Sequence, residues 1–171
     1  VLLFVGFNNF IMSSEEPSED FIEAHIIALA EQSFIDQFNT LAAAGIQEIT
    51  LPQIATISPS LIHSISNEQI KQFTINQTKT FTISQIPAFT QSQIIALTIE
   101  QITAFTIEQI AAILPDQIAV MSINKINIII SKLSPIQAQA LTINQIKLLP
   151  ASTLTSLLIN FTSEQVQFIT P

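Results

Sequence analysis

The sequence predicts an all-α solenoid of short N-capped helices, one for each eight-residue repeat. Three observations carry that prediction. From Thr50 onward, Ser or Thr recurs every eight residues, and Gln follows it three residues later. Large apolar residues hold fixed places within the same eight-residue frame. Gly is nearly absent, with two residues in 171, so helix interiors are free of their commonest weakening residue after proline.

Composition sets the outer bounds. Apolar residues make up 48% and charged residues 11%, a balance opposite to that of disordered chains. The net charge of −8 lies entirely in residues 1–49, which hold eight acids and no Lys or Arg. The remaining residues carry five acids and five lysines and are formally neutral. Nucleic-acid binding rests on Lys and Arg meeting phosphates; with no Arg and five scattered lysines, that class is excluded. The chain has no Cys, which removes disulfides and thiolate metal sites. It has no apolar run of the roughly 18 residues a transmembrane helix needs.

The first segment, residues 1–20, reads as a mobile acidic entry. Its apolar start, VLLFVGFNNFI, fits a translation start at Met12, a fragment of a longer chain or the tail of a signal peptide. Residues 21–49 read as an amphipathic helical cap. Ser18 is placed to cap a helix whose first turn holds Glu19 and Asp20, where the helix dipole favours negative charge. Phe21, Ile22, Ile26, Leu29, Ala30, Phe34, Phe38 and Leu41 follow at helical spacing. Ser33 offers a restart for a second short helix, and Gly45 suits a left-handed C-terminal cap. Terminal repeats of solenoids need such covers.

Residues 50–171 are the octapeptide-repeat solenoid. The units read TLPQIATI, SPSLIHSI, SNEQIKQF, TINQTKTF, TISQIPAF, TQSQIIAL, TIEQITAF, TIEQIAAI, LPDQIAVM and SINKINII, from Thr50 to Ile129. Four residues intervene before SPIQAQAL, TINQIKLL and PASTLTSL; four more precede TSEQVQFI. The last two residues, Thr170 and Pro171, match the start of another unit, so the array is expected to continue. Position 1 is Ser or Thr in 12 of 14 units, with Leu114 and Pro150 the exceptions. Position 4 is Gln in 11 of 14, with Leu61, Lys125 and Thr153 departing. Ser or Thr followed three residues on by Gln is a capping box: the hydroxyl accepts from the N–H at N3, and the glutamine accepts from the N-cap N–H. Pro59, Pro115 and Pro135 fall at position 2, the first helical residue, where the missing N–H needs no partner.

Positions 2, 5 and 8 are mostly apolar and span one face of a short helix. Position 7 is often Ala (Ala88, Ala96, Ala104, Ala112), small enough for close approach of neighbours. Burying three such side chains yields roughly 5–9 kcal/mol, whereas ordering eight residues costs roughly 12 kcal/mol. A single unit is therefore unstable, and stacking must supply the rest. The preference for Gln over Glu at position 4 suggests amides stacked on one another along the array. A β-solenoid is the structural rival, because Ile, Thr and Phe favour strands, FTINQTKTFTIS alternates, and Pro87 fits poorly inside a helix.

The best-preserved units, LTIEQITA from Leu97 and FTIEQIAA from Phe105, resemble the tandem LTxEQIxA octapeptides of long bacterial repeat proteins. Many of those are large surface, secreted or host-associated proteins. The resemblance spans Thr50 to Pro171. It implies a scaffold or interaction role, outside the cell in many cases, and brings no catalytic residues with it. Leu114, Pro150, Thr78 and the two insertions depart from the pattern and predict irregular stacking there.

No chemistry-bearing motif emerges, and no catalytic, cofactor-binding or metal-binding residue is assigned. His25 and Glu23 are two apart and do not share a helix face. His63, at position 6 of its unit, is expected to face solvent. The acids of residues 15–23 lack EF-hand spacing and its loop Gly. Neither a nucleophile elbow nor a Gly-rich phosphate loop is present. Asn76 and Asn160 begin formal glycosylation sequons. The regular threonines serve better as caps than as an ice-binding face. The expected function is a non-catalytic structural or protein-interaction scaffold without a cofactor. A secreted effector that binds a host protein through the repeat surface is the alternative. Self-association through the solenoid ends is a further expectation.

Overall fold

A computed structural model describes residues 18–40 and 43–169. Among these residues are fourteen α-helices, four 3-10 segments and no strand, which removes the β rival. The stretch from Phe73 to Ser84 that alternates like a strand contains the helix Ile75–Thr80. Local capping outweighs strand propensity there: Thr74 Oγ1 accepts from the Gln77 N–H at 3.2 Å, and Gln77 Oε1 accepts from the Thr74 N–H at 2.8 Å. The chain divides into two compact units, Val1–Asp36 and Gln37–Pro171.

The first helix runs Glu19–Thr40. Ser18 caps it as expected, accepting from the Phe21 N–H at 3.3 Å. The restart at Ser33 does not occur, and the helix passes through it without a break. An exposed serine costs a helix only a few tenths of a kcal/mol, whereas a new nucleus is expensive. Phe21, Ile22, Ile26 and Leu29 are exposed, and His25 stacks on Phe21 with ring centroids 6.1 Å apart. Residues 1–17, the side chains of Ala30, Phe34 and Phe38, and Leu41 lie outside the described residues. So do the expected start at Met12 and the acids Glu15 and Glu16.

Gly45 does not form a left-handed cap. It lies inside the 3-10 segment Ala43–Glu48, and no described glycine has a positive φ. The reason is that residues 43–49 pack as a further repeat. Ile46 is fully buried, and its segment packs on the helix Asn67–Gln72. This unit keeps the apolar residues of positions 5 and 8, Ile46 and Ile49, but has neither the capping hydroxyl nor the glutamine.

In the array proper the α-helices are four to seven residues long, as in Pro59–Ile62, Gln91–Ala96 and Ile123–Ile129. Helices pack on those three units away: Leu51–Thr56 against Ile75–Thr80, that helix against Ile99–Ala104, and Ile99–Ala104 against Ile123–Ile129. This all-α repeat arrangement is compatible with the solenoid that the sequence predicts. Position 5 forms the centre: Ile54, Ile62, Ile70, Ile86, Ile94, Ile102, Ile110, Ile118 and Ile126 are all fully buried. Position 8 is buried beside it, and Phe73, Phe81 and Phe89 form an edge-to-face chain with successive centroids 5.1 Å apart. Each such pair is worth about 0.5–1.5 kcal/mol beyond its buried area.

Position 2 does not belong to the core. Leu51, Ile75, Ile83, Ile99 and Ile107 are exposed. The buried face is instead made of positions 4, 5 and 8, because the position 4 glutamines turn inward. Gln77, Gln85, Gln93, Gln101, Gln109 and Gln117 are all buried.

Three departures are accommodated locally. Pro87 has no N–H to continue an α-helix, and its unit forms only the 3-10 segment Ile86–Ala88. The cap survives even so, with the Thr82 N–H donating to Gln85 Oε1 at 2.8 Å. Thr78, buried where other units have Ile, donates its hydroxyl to the Thr74 carbonyl at 2.9 Å. Leu114 has no oxygen to offer Gln117, so its cap keeps only the Leu114 N–H to Gln117 Oε1 bond at 2.8 Å.

The two insertions change the packing in the same way. In each, an α-helix runs straight into a 3-10 segment: Ile123–Ile129 into Ile130–Lys132, and Ala151–Leu157 into Leu158–Asn160. The added turn buries apolar residues of its own, Ile130 and Leu133 in the first and Phe161 in the second. The 3-10 segments also pack as elements, on Ile107–Ala111 and Pro135–Gln139 respectively. A twelve-residue unit therefore supplies two packing elements where an octapeptide supplies one.

Candidate functional site

The inward glutamines form the most regular feature of the protein. Each is held at both ends of its amide. In Gln101, Oε1 accepts from the Thr98 N–H at 2.8 Å, while Nε2 donates to the carbonyls of Ile70 at 2.8 Å and Phe73 at 2.9 Å. The donor–acceptor demands of the two ends fix the amide's orientation. The bonded carbonyls lie 31 and 28 residues earlier in the chain. The same offsets recur from Gln77, Gln85, Gln93, Gln109 and Gln117. Past the first insertion they become 27 and 24, at Gln137, Gln145 and Gln165.

These bonds explain why position 4 is Gln. The last carbonyls of a short helix lack the N–H four residues on; the position 5 carbonyl takes one bond from three residues on, as Ile70 does from the Phe73 N–H at 3.4 Å, and has room for a second donor. The glutamine closes its own helix N-terminus and satisfies the C-terminus of a helix about one turn of the array earlier. At Gln77, Gln85, Gln93, Gln101, Gln109 and Gln117 the amide nitrogens bond to backbone carbonyls, in place of the amide-to-amide stacking that the sequence suggests. Glutamate would supply the acceptor and lack the donor. Every buried side-chain N and O among the described residues has a partner, so the ladder leaves none of its own groups idle.

Lys125 occupies a glutamine place. Its Nζ donates to the carbonyls of Ile94 at 3.2 Å and Ile95 at 2.6 Å. It has no acceptor to return, and Ser122 makes no side-chain cap bond. Burial holds the Lys125 ammonium below its usual pKa, because desolvation disfavours the charged form.

The outward surface is built from what the ladder does not use. Ile75 and Ile99, with Thr103 and Ala104 beside them and Lys79 and Glu100 on the rim, line a groove of about 520 Å³ between two packed helices. Thr103 donates its hydroxyl to the Ile99 carbonyl at 2.8 Å, which spends its polar group within its own helix. Ile83 and Ile107, also at position 2, are 62% and 64% exposed. Glu100 and Glu108 are held below the ordinary carboxylate range, first by their own backbone N–H and then by the Thr98 and Thr106 hydroxyls. They are anionic at neutral pH.

The other residues considered in the sequence fall apart from one another. His63 is exposed, as expected for position 6, and His25 is half-buried against Phe21. Among the described residues, no group of three or more His, Cys, Asp or Glu is placed to hold a metal ion. No described helix is long and apolar enough to cross a membrane. Asn76 is exposed, but the Thr78 of its sequon is fully buried. Sequence reasoning missed the position 2 surface. The signal available was the variety there: Pro, Asn, Gln, Ala and Ser alternate with Ile, a tolerance that buried places lack. No protein-family model matches the chain, and neither a curated protein nor a solved structure shows significant similarity to it.

Proposed function

We propose that this chain is a non-catalytic protein-interaction scaffold, a stretch of repeat array that holds a series of equivalent outward positions for a protein partner. The observation that carries this reading is the division of labour within each octapeptide. Positions 1, 4, 5 and 8 close the helices and fill the core, while position 2 presents branched aliphatic side chains such as Ile83 and Ile107 to the outside. Isolated exposed apolar residues are ordinary, but the return of an exposed isoleucine to the same place in separate units, as at Ile83 and Ile107, makes a surface that a partner reads more than once. Extended binding surfaces of this kind are how repeat proteins bind. The likeness of the repeat to bacterial surface and secreted octapeptide proteins favours an extracellular setting.

Site-specific photo-crosslinking from positions 83 and 107 of the full chain tests this. A partner that is captured saturably, and lost from an Ile83→Glu/Ile107→Glu variant of unchanged helical content, is the expected result. Capture that ignores those substitutions would sink the reading, as would turnover of a substrate that is abolished by His63→Ala.

A further inference from the structure

We propose that the groove between the helices Ile75–Thr80 and Ile99–Ala104 is a self-complementary surface on which a second copy of this chain docks about a two-fold axis. The groove floor is aliphatic, with Ile75 and Ile99 both 39% exposed. These two residues hold the same position in units three apart, the separation at which helices of the array pack. Thr103 turns its hydroxyl back onto the Ile99 carbonyl at 2.8 Å, and this leaves its methyl for the groove. Ala104 is half-buried and keeps the wall low enough for an aliphatic side chain to enter.

Charge identifies the occupant. The groove carries one cation on one helix, Lys79, and one anion on the other, Glu100. Both are exposed, and no salt bridge joins them. A two-fold interface brings residue i against j and j against i. Turned over and laid on itself, the groove sets Ile75 and Ile99 against the partner's Ile99 and Ile75. It also sets Lys79 against Glu100 twice. A foreign ligand needs no such symmetry of charge; a copy of the same surface does. The contact is lateral, along the side of the array, and is independent of its ends. It also uses different position 2 residues from those of the proposed partner surface, so failure of either idea leaves the other standing.

Sedimentation velocity of the full chain reads the result, with circular dichroism confirming that each variant keeps its helical content. The wild type should pass from monomer to dimer as its concentration rises, and stop at the dimer. Ile99→Glu, at the first residue of its helix where an acid is tolerated, should weaken the dimer at least about tenfold. Lys79→Glu or Glu100→Lys alone should weaken it by a similar factor, since each variant opposes like charges at two places. The double variant Lys79→Glu/Glu100→Lys should restore it to within about threefold. A chain that stays monomeric to about 200 µM overturns the proposal. So does a dimer insensitive to Ile99→Glu, or a double exchange that fails to rescue. A monomer that binds an amphipathic helical peptide in the groove would replace the second copy by a foreign partner.

Discussion

Gln101→Glu changes one amide nitrogen to oxygen in the interior of the array, and the ladder geometry sets its cost. Wild-type Nε2 sits 2.8 Å from the Ile70 carbonyl and 2.9 Å from that of Phe73, and the side chain is 1% exposed. The glutamate keeps the acceptor for the Thr98 N–H but turns an anionic oxygen toward two carbonyl oxygens. Both carbonyls lose a donor and face an anionic oxygen instead, although the Ile70 carbonyl keeps the Phe73 N–H at 3.4 Å; a lost buried bond costs about 1–3 kcal/mol, and a buried charge more. The ionised form should therefore cost about 3–5 kcal/mol. The protonated form donates to one carbonyl and loses only the other, for about 1–2 kcal/mol. The environment raises the glutamate's pKa in the folded state above its unfolded value of about 4.3. The folded state then binds the proton more tightly, so the extra penalty is absent below about pH 4.3 and grows as pH rises toward the folded pKa. Thermal denaturation at pH 7 and pH 4 measures this. The melting temperature should fall by about 10 °C or more at pH 7 and by about half that or less at pH 4. Gln91→Glu, at an exposed first helical residue, is the control and should be nearly neutral at both. Equal losses at the two pH values, or a Gln101→Glu variant as stable as the wild type, would refute the account of the ladder.

Three further expectations follow from the same geometry. Ile102→Ala, at a fully buried site, should cost about 2–5 kcal/mol in chemical denaturation, while Ile107→Ala, at 64% exposure, should stay within about 0.5 kcal/mol; similar losses would contradict the assignment of position 2 to the surface. Leu114→Thr restores a hydroxyl for the Gln117 N–H at an exposed cap and should raise stability by about 0.5–1 kcal/mol on the same assay. Lys125→Gln should raise the melting temperature at pH 7, since it removes a buried charge and returns an acceptor to the Ser122 N–H. Because burial lowers the lysine's folded pKa, the unfolded wild type binds more protons between that value and about 10.5, and wild-type stability rises with pH across that window. The advantage of Lys125→Gln should accordingly shrink on going from pH 7 to about pH 10; an advantage that grows would contradict the cause assigned to the shift.

What the sequence determined by itself is where each helix begins. The capping box joins residues three apart, so its geometry is complete within one unit. Thr98 and Gln101 specify the start of their helix whatever lies beyond it, and Pro59, Pro115 and Pro135 add a local signal of the same kind. The fold class and the helical character of the repeat followed from those local bonds. Tertiary structure decided which face turns inward. Position 2 and position 4 lie on either side of the apolar positions 5 and 8, and by polarity alone Ile99 should be buried and Gln101 exposed. The reverse holds because the Gln101 amide meets carbonyls 28 and 31 residues away, which exist as acceptors only once the chain has come round on itself. The same nonlocal demand recruited residues 43–49 as a repeat without its hallmark residues, since Ile46 and Ile49 supply the carbonyls Gln77 needs. It also kept the insertions in step, because a twelve-residue unit restores the next glutamine to a pair of carbonyls at a shorter offset. Sequence spacing fixes a helix start because its partners are neighbours in the chain. A buried amide's partners are neighbours only in space, and the groove at Ile75 and Ile99 is the surface left over once they are satisfied.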